Sequence, residues 1–415
     1  MPIWTRTARR SVLMATAGLG LGLSAAQASP MYTLLTTIPV PPSADNNVGG
    51  KFATYDISDI DPVTHLLYVA DRSNASVDVF STQTLSFVTR IGGSGHLFSG
   101  QVGSNNGISG PDGVVVARSP TVSQVFAGNG DSTLKSFALS NYAQQPTVST
   151  GGTTRVDELA FDPTRNVVIA VNNAEAPPFV SLVDATTHSI IAKITFNGLN
   201  NTPDATAGGL EAPAWDPVTG KYYVSVPQIG TSGPGGVAEI DPVTHAVTRT
   251  FDFAALGLSG ACSPSGLVAG AAGKLLVGCG ASGGNSTVVL DPTAGTIHVV
   301  HGIGGEDQVW YDAASGLYFT ASRLDASGPV LGIIDANTDL LLQKVPTTPA
   351  DHSVAVDPLT GDAFVPLGGV AGNTVCPNGC IGVYARAVPE PSSLPLLATA
   401  VLGFAGLLGW RMRGE

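Results

Sequence analysis

Asp61-Pro-Val-Thr-His-Leu-Leu-Tyr-Val69, Asp162-Pro-Thr-Arg-Asn-Val-Val-Ile-Ala170, Asp216-Pro-Val-Thr-Gly-Lys-Tyr-Tyr-Val224 and Asp357-Pro-Leu-Thr-Gly-Asp-Ala-Phe-Val365 are variants of one phrase. Asp312-Ala-Ala-Ser-Gly-Leu-Tyr-Phe-Thr320 is the same phrase without its proline. The chemistry is that of a tight turn between two strands. Asp accepts backbone hydrogen bonds at the first turn position, Pro presets φ at the next, and Gly takes the left-handed position that closes the hairpin. An apolar, β-branched run stands on each side, so every copy predicts strand, turn, strand.

A second hairpin follows most of these. Its turns are Asp184-Ala-Thr-Thr-His188, Asp241-Pro-Val-Thr-His245, Asp291-Pro-Thr-Ala-Gly295, Asp335-Ala-Asn-Thr-Asp339 and Ser81-Thr-Gln-Thr-Leu85, each flanked by apolar runs. Two hairpins in series make a four-stranded meander of about 40 to 55 residues, the size of one propeller blade. Blades fall near residues 52–91, 107–150, 155–196, 209–253, 262–301, 306–346 and 352–386, and the second and fifth are poor copies. The last has room for only three strands. Tyr32-Thr-Leu-Leu-Thr-Thr-Ile38 looks like a fourth strand without a blade. The expected fold is therefore an all-β, seven-bladed β-propeller over 31–387, its last blade completed by an N-terminal strand and its exposed edges thereby closed. Tyr68, Tyr223, Tyr318 and Phe364 recur at one blade position and are expected to be core between blades.

The repeats resemble YVTN-type propeller repeats, in which an apolar strand leads into an Asp-Pro-x-Thr-Gly-x-x-Tyr-Val turn. The resemblance spans nearly all of 31–387 and implies architecture alone, since propellers serve as enzymes, binders and scaffolds alike.

The two ends read differently. Arg6, Arg9 and Arg10 precede an apolar run from Ser11 to Ala25, and Ala26-Gln27-Ala28 supplies a small-x-small cleavage site. Residues 1–28 are thus a signal peptide, for the Sec or the Tat route, and too short for a membrane span. At the other end, Val388-Pro389-Glu390-Pro391-Ser392 is followed by the apolar run Leu394–Trp410 and the basic tip Arg411-Met412-Arg413. That order resembles the PEP-CTERM sorting signal handled by exosortases. The resemblance implies that 388–415 carries a hydrophobic transmembrane helix, that Pro389, Glu390 and Pro391 mark the processing site, and that an exosortase-type enzyme is a partner. The expected location is the cell envelope or the outside of the cell, with the membrane engaged through the C-terminal helix before processing.

The composition fits that address. A net charge of −12 argues against a nucleic-acid partner, which calls for basic stripes. Four cysteines in an exported chain predict two disulfides, Cys262 with Cys279 across a hairpin and Cys376 with Cys380 within a short loop. A four-cysteine zinc site would need better ligand spacing.

Function has fewer signs. Counting back five residues from each turn aspartate, toward the loops that lead into the innermost strands, gives Asp56, Asp157, Glu211, Asp307 and His352. Glu158, Glu306 and Asp351 are immediate neighbours, and Asp112 stands in the degenerate second blade. The column is mostly of one sign and holds no arginine, so its convergence on the channel mouth would raise the carboxyls' pKa values or recruit a cation, with calcium the natural choice for carboxylates. The segment Gly209-Leu-Glu211-Ala-Pro213-Ala-Trp215 resembles the Glu-Gly-Pro-x-Trp segment of gluconolactonase-type propellers, which implies Glu211 as a calcium ligand. No nucleophile elbow, zinc-protease motif or phosphate loop is present. The expected function is an exported binding or interaction propeller, with extracellular polysaccharide or an envelope protein as partner. The alternative is a calcium-dependent hydrolase of the lactonase type. His188 and His245 sit in turns, and His298 and His301 are expected on the surface.

Overall fold

The computed structural model describes residues 31–387 apart from residue 282. The expected signal peptide 1–28 and the expected sorting segment 388–415, with Pro389, Glu390, Pro391 and the expected helix, lie outside the described residues. Among the described residues no helix is long and apolar enough to cross a membrane.

Seven four-stranded antiparallel sheets follow one another around a central channel. Six are consecutive meanders, spanning Ser58–Gly92, Val114–Ser149, Leu159–Thr195, Pro213–Asp252, Pro264–His301 and Val309–Pro346. The seventh takes Ala355–Val356, Ala363–Leu367 and Cys380–Arg386 from the end of the chain and Tyr32–Pro39 from its beginning. Tyr32 stands opposite Arg386 and Ile38 opposite Ile381, so the two ends close the ring as an antiparallel pair. The Tyr32 backbone N–H also donates to Gln343 Oε1 of the sixth blade at 2.8 Å.

The turns have the expected chemistry. His65, Asn166, Gly220, Gly316 and Gly361 all take positive φ at the closing position of the first hairpin. Leu85, His188, His245, Gly295 and Asp339 do the same in the second hairpin. His188 and His245 are therefore turn residues, while His298 and His301 are exposed on an outer strand. The turn aspartates also tie blades together. Arg118 of the second blade pairs with Asp61 of the first, and His65 Nδ1 lies 3.0 Å from Asp357 Oδ1 across the closure.

The core sits between blades rather than at a single centre. Tyr68, Tyr223, Tyr318 and Phe364 are fully buried. Tyr223 packs with Leu267 and Leu275 of the next blade, and Phe364 with Ile60 and Leu67 across the closure. Each sheet is thus buried on both faces, which accounts for the scarcity of strict apolar–polar alternation in strands such as Val167–Asn172, buried throughout. Both disulfides are formed, Cys262–Cys279 and Cys376–Cys380. Paired cysteines of this kind are the mark of a chain that folds in an oxidising compartment.

Candidate functional site

A repeated pair of backbone hydrogen bonds fixes the innermost strands. The N–H of Asp56 donates to Ala70 O, Asp112 to Gly128 O, Asp157 to Val171 O, Glu211 to Ser225 O and Asp307 to Ala321 O, all between 2.7 and 3.1 Å. These residues occupy one structural position in five blades. Neighbouring blades are joined one residue further on, where Ile57 N–H donates to Asp112 O, Ala212 to Ser265 O and Gln308 to His352 O. That second set brings in the fifth and seventh blades, so the full ring is Asp56, Asp112, Asp157, Glu211, Ser265, Asp307 and His352.

The two degenerate blades carry glycine where blades join. A Cβ on Gly113 would stand 1.8 Å from Asp157 O, and one on Gly266 2.1 Å from Asp307 O. Side chains are excluded there because the next blade's backbone is in the way.

Asp56, Asp157, Glu211, Asp307 and His352 all line one cavity of about 270 Å³ at the channel mouth. Below it the channel continues as a space of about 260 Å³ of mixed lining, walled by Leu159, Phe161, Trp215 and Trp310 and by the polar Ser58, Asp59 and Gln308. Glu158 borders both spaces.

The column itself holds no arginine, but the mouth does. Arg72, Arg155 and Arg323 all enter it. Arg72 pairs with Asp56 and sets its Nε 2.7 Å from Asp112 Oδ1. Arg155 reaches Asp56 and Asp112 at 3.3 and 3.4 Å and Asp157 at 2.7 Å. Arg323 lies 2.7 Å from Asp307. Backward counting from the turns missed these because two of them arrive from the other direction. Arg72, Asn173, Pro227 and Arg323 stand at one repeat position just past the second strand, equally far beyond the turn residues Asp61, Asp162, Asp216 and Asp312. From that position Arg72 meets Asp56, Asn173 donates to Asp157 and Arg323 meets Asp307, each within its own blade. Pro227 has no side-chain donor to offer Glu211.

The mouth therefore divides in two. Asp56, Asp112 and Asp157 bring carboxylate oxygens within 4.8 Å of one another, and Arg72 and Arg155 fill the space between them. Burial opposes ionisation of Asp56, yet the two guanidiniums outweigh it and hold that carboxyl below its ordinary range. Burial wins at Asp112, which is pushed well up, and at Asp157, raised to about 6. Glu158, Glu211 and Asp307 form the second group, again within 4.8 Å. Burial, reinforced by mutual repulsion, drives the carboxyls of Glu158 and Glu211 well above the usual range.

His352 stands in the wall of the mouth. Its Nδ1 lies 2.8 Å from Ala350 O and its Nε2 3.1 Å from Tyr55 O, while the ring stacks on Tyr55 with centroids 4.5 Å apart. Burial keeps it below the ordinary histidine range. The neutral ring donates from one nitrogen to one of these two carbonyls, and it packs the mouth wall against Tyr55.

The fold and its mouth define a class, the seven-bladed propeller with a charged channel entrance. No protein-family model matches the chain, and no curated protein matches it.

Proposed function

We propose that this is an exported binding propeller of the cell envelope or the cell's surroundings, which engages its ligand at the channel mouth. One observation carries the reading. The ionised residues converge on the face of the loops leading into the innermost strands, whereas the chain ends of the propeller lie on the opposite face. There Tyr32 donates its hydroxyl to Gly361 O at 3.0 Å, and Tyr32 and Arg386 border a cleft with Pro358, Leu359 and Asp312 of the turns. A tether at that end leaves the mouth free. The two disulfides support export, and the order Pro389-Glu390-Pro391, apolar run, basic tip supports sorting by an exosortase-type enzyme, with the YVTN-type repeats supplying the scaffold.

The ligand we favour is an envelope or extracellular polysaccharide. A mouth of carboxylates and guanidiniums above a channel lined by Trp215 and Trp310 offers hydrogen-bond partners and stacking faces that suit a hydroxyl-rich chain. The test is retention of the purified full-length chain on isolated envelope polysaccharide. Wild type should be retained, Arg323→Ala should weaken retention at least tenfold, and Val218→Ser on the opposite face should leave it unchanged. Equal retention of both variants would refute the mouth as the binding site.

A second reading is favoured by the convergence of Glu158, Glu211 and Asp307, a calcium-dependent hydrolase of the lactonase type. Chelator-sensitive turnover on a lactone panel would put it in place of the first.

A further inference from the structure

Six carboxylates at the mouth face three guanidiniums, and the imbalance is local. Arg72 and Arg155 attend to Asp56, Asp112 and Asp157. Arg323 reaches Asp307, and Pro227 stands where Arg72, Asn173 and Arg323 supply a side-chain donor in three other blades. Glu158 is only 6% exposed, yet no hydrogen bond from any described residue reaches its carboxylate. It borders the mouth cavity and has Glu211 and Asp307 for neighbours. A buried carboxylate with no donor is costly unless something else compensates it.

We propose that Glu158, Glu211 and Asp307 together hold a hard divalent cation, calcium by preference, at the channel mouth. This rests on the reading of the mouth as the binding site and names one of its occupants. The spacing fits. Calcium takes oxygen ligands at about 2.4 Å, so ligand oxygens around one ion lie at most about 4.8 Å apart. One oxygen from each of the three residues meets that limit. Magnesium demands a tighter octahedron at about 2.1 Å and gives up its waters reluctantly, so three carboxylates drawn from three blades suit it less well. Three acids and water complete a flexible calcium shell, and the ion leaves an outward position for a hydroxyl or carboxylate of the ligand.

The same contrast disposes of the other acidic trio. Asp56, Asp112 and Asp157 are as close together, but guanidinium nitrogens stand where an ion would go. Asp56, Asp157 and His352 are therefore not ligands of this ion, while Glu158 is.

The test uses the full chain, isolated with its disulfides intact and dialysed against chelator. Titration calorimetry with calcium chloride should show one saturable site, and calcium should raise the melting temperature, with magnesium weaker by at least tenfold. Glu158→Gln and Glu211→Gln should each weaken calcium binding at least tenfold and together abolish it. Asp291→Asn, an acid in a turn on the opposite face, should not change it. Glu158→Gln carries a second signature that misfolding cannot mimic. In chelator its melting temperature should not fall below that of wild type, and it should lose the calcium-dependent rise. No saturable heat at millimolar calcium would overturn the site, as would undiminished binding by the double variant. If polysaccharide retention persists in chelator while calcium heat is missing, the cation is refuted and the binding function stands.

Discussion

Arg155 is the residue on which the mouth's electrostatics turn. Its side chain is 15% exposed and touches three carboxylates that burial would otherwise protonate. Arg155→Ala leaves them with Arg72 alone, and breaking a buried charge network costs about 3 to 5 kcal/mol. We expect a loss near the lower figure, because Asp112 and Asp157 can take up protons, read from the urea midpoint at pH 7. A loss below about 1 kcal/mol would mean that Arg72 suffices.

The pH dependence follows from the same residues. Burial raises Asp157 to about 6 and Glu306 to about 8, and drives Glu158 and Glu211 upward. Acids whose pKa rises on folding bind more protons in the folded state, so stability in chelator falls as pH climbs from about 4 to about 8. Asp56 and Asp61 act with the opposite sign. Burial opposes their ionisation, but arginine partners hold both below the usual range, and their contribution is lost as pH drops below about 4. The melting temperature in chelator should therefore be higher at pH 5 than at pH 8. A monotonic rise over that interval would contradict the burial of these acids.

At the scale of elements, the strand Tyr32–Pro39 and the two disulfides bear the tests. Without residues 31–38 the strand Cys380–Arg386 would show an unpaired edge, so the deletion should aggregate at concentrations where the full chain stays monodisperse. Cys262–Cys279 closes a separation of 17 residues, worth about 3 kcal/mol by loop entropy, and Cys376–Cys380 closes 4, worth about 2. Cys262→Ser with Cys279→Ser should lower the urea midpoint more than the matching pair at Cys376 and Cys380. The reverse order would mean that the short rim loop matters more than chain entropy. The disulfides were legible because each cysteine pair is local in sequence, and the strand because the last repeat has room for only three strands while Tyr32–Ile38 resembles a fourth. The second and fifth blades were harder to align. They keep the hydrogen bonds but lose the turn phrase, and their signals are Gly113 and Gly266, whose reason is a neighbouring backbone that sequence order does not display.

At the scale of the molecule, the ring follows from strand register. A position fixed relative to a repeated turn comes to one place around the axis, and Asp56, Asp157, Glu211, Asp307 and His352 reached one mouth for that reason. Charge balance did not follow from the same count. Arg72 and Arg323 lie beyond the turns at a repeat position of their own, and Arg155 has no counterpart in other blades, so no periodicity announced it. The division of the mouth into a trio held by two guanidiniums and a trio in which Asp307 alone has one is a property of side chains that meet across blades.

The central claim is that the innermost strands of three blades deliver Glu158, Glu211 and Asp307 to one point at the channel mouth where Arg323 is the one guanidinium in contact with any of the three. A crystal structure of the full chain grown with terbium, a calcium surrogate visible by anomalous scattering, tests it most directly. The prediction is a single strong anomalous peak about 2.4 Å from oxygens of all three residues, on the face opposite the Asp-Pro turns. A peak among Asp56, Asp112 and Asp157, a peak on the turn face, or a ring of other than seven blades would contradict it.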